Sequence, residues 1–282
     1  MAEDTAYSRG LRQLKDNLRV KISLLILIML VLMAIFAPYI SPQDPDEMNL
    51  GASLEPPSSE HWLGTDRMGR DMLSRIIYGT RVSLLVGVIA VGISGTLGLI
   101  LGTLAGYYGG IIDGIIMRLV DILLAFPSIL LAISLVAVLG PSLVNVMFAI
   151  GIVNWVSYAR LIRGELLSLK EKEFISAVRA MGASTPRIII KHMLPNAIAP
   201  IIVMATLGMA GAIITESSLS FLGIGVQPPT PSWGQMLSEG REIIRQAWWV
   251  STFPGVAIMI VVLAFNLLGD SLRDALDPNL VE

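Results

Sequence analysis

Residues able to do covalent chemistry are sparse in this chain of 282 residues. It contains no cysteine, which excludes disulfides, thiolate nucleophiles and thiolate metal sites. Its two histidines, His61 and His192, lie far apart without metal-ligand spacing. No G-x-x-x-x-G-K-[ST] stretch offers the backbone cradle that holds nucleotide phosphates. There is also no nucleophile elbow and no pair of carboxylates spaced for acid–base work. Isolated acids in apolar surroundings mark structure or a pathway more often than catalysis. The chain therefore shows no energy-yielding chemistry of its own, and any driven process it takes part in has to draw its energy from a partner.

The stretch suited to receive that energy is residues 173–195, EFISAVRAMGASTPRIIIKHMLP. It is a polar, basic interruption between long apolar runs. Phe174, Val178 and Met181 fall at i, i+4 and i+7, which predicts a short helix with one apolar stripe. Glu173, Ser176 and Arg179 fall on its other faces, and Ala177 and Ala180 keep part of the surface flat enough for another surface to approach. Gly182 stops the helix. Thr185 and Pro186 restart one, as N-cap and first helical residue. Pro195 marks the turn into the next apolar run. A helix, a glycine corner and a second helix make a lever that a partner can push.

The spacing here also carries a resemblance. Ser176-Ala177-Val178, three residues, Gly182, nine residues, then His192-Met193-Leu194-Pro195 resembles the EAA loop of ABC importer permeases, E-A-A-x3-G-x9-I-x-L-P. Ser176 replaces the Glu, Val178 the second Ala and His192 the Ile. A second stretch, HWLGTDRMGRDMLSRIIYGTRVSL from His61, resembles a signature of the dipeptide, oligopeptide and nickel branch of that family. FLGIGVQPPTPSWGQML from Phe221 does so too.

The resemblance implies a subunit that pairs with a second, homologous permease, rests on two ABC ATPase subunits and receives cargo from an extracytoplasmic solute-binding protein. ATP and Mg would be bound by the ATPases, with no cofactor in this chain. It implies ATPase coupling through Glu173, Ser176, Ala177, Arg179, Ala180, Gly182, Ala183, Arg187 and Pro195. Gly223, Gly225 and Trp233 are candidates for docking the binding protein. Asn154 and Glu216 are candidates for the pathway or gate, although helix seams and caps explain them as well.

The elements that must position these residues follow from composition. The chain is 54% hydrophobic and 15% charged, with mean hydropathy +0.72, whereas soluble domains carry roughly 25% charged residues. Apolar runs of about 20 residues span a bilayer. A net charge of −2 gives no case for nucleic acid. The predicted order is an N-terminal segment, 1–21, and a first span, 22–40, ended by Pro38 and Pro42. An external segment, 41–82, follows, with an amphipathic interfacial helix around Met72, Leu73, Ile76 and Ile77. The core, 83–270, starts with a span over 83–107, where Ala90, Ser94, Gly98, Gly102 and Gly106 form a small-residue seam.

A short link holding Asp113 and Arg118 precedes a third span, 119–139, kinked at Pro127. A fourth span, 142–159, leads to the coupling loop, 160–195. The fifth, 196–218, carries Glu216 near its far end. An irregular external loop, 219–250, ends with Trp248 and Trp249 as an interfacial anchor. The last span, 251–268, precedes a tail, 271–282.

Of the chain's 20 Lys and Arg, fourteen fall on the side of the N-terminus and the coupling loop. That places both termini in the cytoplasm. The expected fold is an all-α membrane protein of six transmembrane helices, the type I ABC importer permease fold, in the plasma (inner) membrane of a prokaryote. The expected function is import of short peptides, with nickel or another small solute as alternative cargo. An ion-coupled secondary transporter is disfavoured because the clear acids lie near span ends. A non-transporting scaffold is the remaining alternative.

Overall fold

The computed structural model describes residues 17–276. Residues 1–16 and 277–282, which belong to the N-terminal segment and tail assigned above and carry part of the charge count, lie outside the described residues. Hydrocarbon offers no hydrogen bonds to backbone groups, so apolar runs that cross it must satisfy their own as helices. The described chain accordingly is almost entirely helical.

Helix α1 spans Leu18–Ile40 and opens at Asn17, whose side chain accepts from the Arg19 amide. Pro38 does not end it. It lies inside the helix, which stops two residues later, ahead of Pro42. Helix α2, Met72–Tyr108, is capped by Asp71, which accepts from the Ser74 amide at 2.8 Å. No separate interfacial helix forms before it. Met72, Ile76 and Ile77 are buried, and the helix runs unbroken for 37 residues, about 55 Å at 1.5 Å per residue. That exceeds the ~30 Å hydrocarbon thickness, so part of α2 belongs to the cap described below.

Helices α3 (Gly110–Leu124) and α4 (Ser128–Leu139) replace the kinked third span. They meet at 90° around Pro127, a full break and not a kink. The link holding Asp113 and Arg118 is itself the start of α3. Helix α5, Leu143–Lys170, carries the fourth span well into the predicted loop. Helices α6 (Glu173–Ala180) and α7 (Thr185–Ile188) follow. A π-helical turn, Ile189–Met193, then leads directly into α8, Leu194–Phe221. Pro195 therefore does not turn the chain. The wider i→i+5 turn ahead of it accommodates a residue that cannot donate.

Helix α9, Trp233–Arg241, lies within the predicted irregular loop. Helix α10, Trp249–Leu276, extends both earlier and later than expected, and takes Asp270, Arg273 and Asp274 into its last turns. Among the described residues, five continuous helical runs are long and apolar enough to cross a membrane: α1, α2, α5, α7 to α8, and α10. The bent pair α3–α4 makes up to six.

Two ends of the bundle can be told apart. One, the loop end, gathers Tyr107, Lys170 and Thr185: Tyr107 Oη donates to Thr185 Oγ1 at 3.3 Å, and Lys170 Nζ donates to the Tyr107 carbonyl at 2.9 Å. The other, the cap end, gathers residues 41–71, the start of α2, α9 and the start of α10. Trp249 is part of this cap and not an interfacial anchor. It is buried and donates to the Thr65 carbonyl at 3.0 Å, while Trp248 stays half-exposed.

The small-residue seam of α2 packs on α5, the most extensive helix pair. Ser94 donates to the Gly151 carbonyl at 3.1 Å, and Gly102 and Gly106 face Ala159 and Leu166 at distances that leave no room for a methyl group. Without a hydrophobic driving force between helices in lipid, this backbone proximity is what gives their dispersion contacts full strength.

Candidate functional site

The loop end presents α6 as an exposed eight-residue helix held on one side only. Its buried face is not the Phe174–Val178–Met181 stripe, since Phe174 is 41% and Met181 78% exposed. Ile175 is instead the anchor. It is fully buried in a cluster with Tyr158, Ile162 and Leu166 of α5, Ile188 of α7, and Met193 of the π-turn. Burial of such a side chain contributes about 1.5–3 kcal/mol, enough to fix a helix too short to be stable alone.

The helix ends in a paired-bond C-cap. The Gly182 amide donates to the Arg179 carbonyl at 3.0 Å and the Ala183 amide to the Val178 carbonyl at 3.3 Å. Gly182 has φ +81°, and Val178 and Ala183 both pack on the cluster, which completes the Schellman motif. Ser184, one residue earlier than expected, occupies the cap position of α7.

The result is one continuous face. Glu173, Phe174, Ser176, Ala177, Arg179 and Ala180 are exposed on α6, followed by the cap residue Met181 and by Gly182. Ala183 is half-buried; Arg187 and Pro195 are exposed but further along the chain.

A cavity of about 900 Å³ opens between α2, α5, α8 and α10. Asn154 lines it, together with Ser94, Ser157, Tyr158, Glu165 and Arg273. Glu165 and Arg273 were not candidates in the sequence, because their segments read as loop and tail. The detectable signal was the spacing of Asn154, Ser157, Leu161 and Glu165, which continues one helical face past the apparent end of the span. Glu216 does not line this cavity. It is fully buried near the cap end of α8, where Ser220 Oγ donates to it at 2.7 Å and Ser217 approaches at 3.4 Å. The structure thus separates the two pathway candidates.

At the cap end, buried polar groups lock the segment 41–71 to α2, α9 and α10. His61 Nδ1 and Asp71 lie 3.0 Å apart. Arg70 Nε donates to Asp66 at 2.6 Å and reaches Glu239 of α9 at 3.2 Å. Arg75 is fully buried and donates to the Pro45 carbonyl at 3.2 Å. Trp233 is fully buried too, with its Nε1 donating to the Ile76 carbonyl at 3.1 Å. It cannot offer a docking surface in this conformation. Gly225 is packed against the Ser220 backbone, and Gly223, φ +81°, is the only exposed member of that trio. The second signature is therefore a structural collar: His61, Asp66, Arg70, Asp71 and Arg75 are buried in it, while Arg67 pairs with Glu242 at the surface at 2.9 Å.

Residues 98–282 match the family model described as "Binding-protein-dependent transport system inner membrane component". Residues 6–57 match one described as "N-terminal TM domain of oligopeptide transport permease C". The chain is 51% identical to the dipeptide transport system permease protein DppC of Alkalihalophilus pseudofirmus, over 97% of this chain and 90% of that protein. It is 48% identical to the di/tripeptide transport system permease protein DppC of Pseudomonas aeruginosa, over 91% and 87%. It is 47% identical to the dipeptide transport system permease protein DppC of Haemophilus influenzae, over 94% and 92%. A chain of the inward-facing MetNI methionine ABC transporter superposes with TM-score 0.60 at 21% identity, covering 73% of this chain and 98% of that one. At that identity the likeness speaks for the fold alone.

Proposed function

The chain belongs to the family of binding-protein-dependent transport system inner membrane components, and from that footing we propose that it forms half of the translocation pathway of an ATP-driven importer of short peptides. The cargo class is supported by the relatives named for dipeptides and tripeptides. Under this reading the loop end is cytoplasmic, both termini are inside, and the cap end faces the binding protein. A second, homologous permease completes the pathway. Two ATPase subunits hold ATP and Mg, and this chain carries no ATPase site of its own.

The observation that carries the reading is the double character of α6. One face is exposed and follows the EAA spacing, while Ile175 on the other is buried among α5 residues. Tyr158 belongs both to that anchoring cluster and to the cavity wall. A displacement of α6 by closing ATPases would therefore be passed through packed side chains to the helices that bound the cavity. Cores respond to such a push by switching between arrangements and not by deforming smoothly. Alternating access then follows from rigid elements moved from one end.

Reconstitution tests this. Co-expression with the partner subunits, purification and insertion into proteoliposomes should give dipeptide uptake that needs ATP and the binding protein together. Uptake driven by an ion gradient with this chain alone would contradict the reading.

A further inference from the structure

We propose that the cavity between α2, α5, α8 and α10 is a transit site that holds cargo by the peptide main chain, with the Asn154 carboxamide as its central contact. This rests on the reading of the chain as a short-peptide permease.

The argument starts from which polar groups in the cavity wall are free to act. Ser94 Oγ is committed to the Ala90 carbonyl at 2.8 Å and the Gly151 carbonyl at 3.1 Å. Thr215 donates to its own helix at Gly211, 2.8 Å away. Tyr158 donates to the Met204 carbonyl at 3.3 Å, and the Asn196 amide to the His192 carbonyl at 2.6 Å. Each of these donors is engaged by backbone. Asn154, half-buried on α5, has no such engagement among the described residues. Ser157, one turn further on, lines the same wall.

A carboxamide presents one acceptor and two donors in one plane, which matches the N–H and C=O that every peptide group offers.

The rest of the lining fits a cargo of variable side chains. Val91, Ile150, Val203, Met204 and Leu207 are apolar, and a methionine adapts its shape to irregular neighbours. The charged lining residues, Glu165 and Arg273, stand at the loop end of the cavity, away from Asn154. Midway through the bundle there is thus no fixed charge to select an ammonium, a carboxylate or a metal ion. A volume of about 900 Å³ lies within the ~300–1,000 Å³ of small-ligand sites. Recognition at this level is of the amide group, and side-chain choice is left to other components.

The test uses the complete importer in proteoliposomes with two dipeptides of unlike side chains, Ala-Ala and Phe-Leu. Asn154→Ala should lower initial uptake of both by a similar factor, about tenfold for one lost amide contact, and Asn154→Gln should recover part of it. Unchanged uptake, or a loss confined to one dipeptide, overturns the proposal. An independent readout uses Ser157→Cys, which leaves Asn154 in place on the same wall, since the chain has no cysteine of its own. Saturating Ala-Ala delivered by the binding protein should slow its maleimide labelling in the assembled complex, and an unaffected rate overturns the proposal as well. Wild-type importer that takes up no dipeptide would sink the short-peptide reading, and this inference with it. Normal uptake by Asn154→Ala would sink the inference alone.

Discussion

The Arg81 guanidinium on α2 donates to the Ala34 carbonyl on α1, the group that Pro38 leaves without its helical donor. A second guanidinium nitrogen reaches the Ile35 carbonyl at 3.2 Å. This explains how α1 tolerates a proline inside its last turns, and it ties the first span to the core.

Arg81→Ala should therefore destabilise the protein by about 1 kcal/mol, the net worth of such a bond. Pro38→Ala restores the amide donor, so the double variant should lose less than the two single effects combined. Thermal melting of the four proteins in detergent measures the coupling. Strict additivity would show that Arg81 does not stand in for the missing amide.

The α2–α5 seam makes a graded prediction. A methyl group at Gly102 would lie 2.6 Å from the Ala159 carbonyl oxygen, and one at Gly98 would overlap Tyr158 Cβ, whereas Gly92 faces open space. Gly98→Ala and Gly102→Ala should each destabilise by about 1–3 kcal/mol through overpacking. Gly92→Ala should be neutral or slightly stabilising, because alanine is the better helix former. The comparison is read from melting midpoints. Equal effects at all three positions would place the seam elsewhere.

Much of this was legible in the sequence, for physical reasons that can be named. The small residues on α2 recur every four positions, and that regularity is the seam itself. The corner at Gly182 was legible because only a few residue types accept positive φ there. Other features depended on partners that are distant in sequence. Pro127 announces a missing donor, but whether a helix bends or breaks at 90° is decided by what packs around it. An eight-residue helix gives too few apolar positions to choose between Phe174 and Ile175, and tertiary contacts with α5 choose Ile175. Glu165 and Arg273 were misplaced because charges look like the end of a span, while the helices run on past them to Lys170 and Leu276. Trp233 is a docking candidate in the sequence because it falls in an external loop. Its burial comes from Ile76, which is 157 residues away in the chain.

The anchor of α6 leads to a prediction about coupling. Ile175→Ala opens a void under the helix at a cost of about 2–5 kcal/mol, while Glu173, Ala177 and Gly182 keep their exposed positions. The assembled complex should still hydrolyse ATP but import fewer peptides for each ATP consumed. The ratio of uptake to phosphate release measures this. An unchanged ratio would mean that the push does not travel through Ile175.

Trp233→Phe removes the bond to the Ile76 carbonyl and part of the cap packing. It should lower the melting midpoint, by an amount corresponding to about 1–2 kcal/mol, and leave the affinity for the binding protein unchanged. Surface plasmon resonance on the assembled complex separates the two. A large loss of affinity without a loss of stability would restore Trp233 as a docking residue.

The central claim is that the exposed face of α6 meets a cytoplasmic ATPase, and a single cross-linking measurement tests it most directly. A cysteine at Ala177, the only one in this chain, is treated with a short bifunctional thiol reagent in the assembled, membrane-embedded complex. The account predicts a product joining this chain to an ATPase subunit, and reagent access from the cytoplasmic side alone. Labelling from the exterior of the cell, or a residue shielded by lipid with no ATPase product, would contradict it.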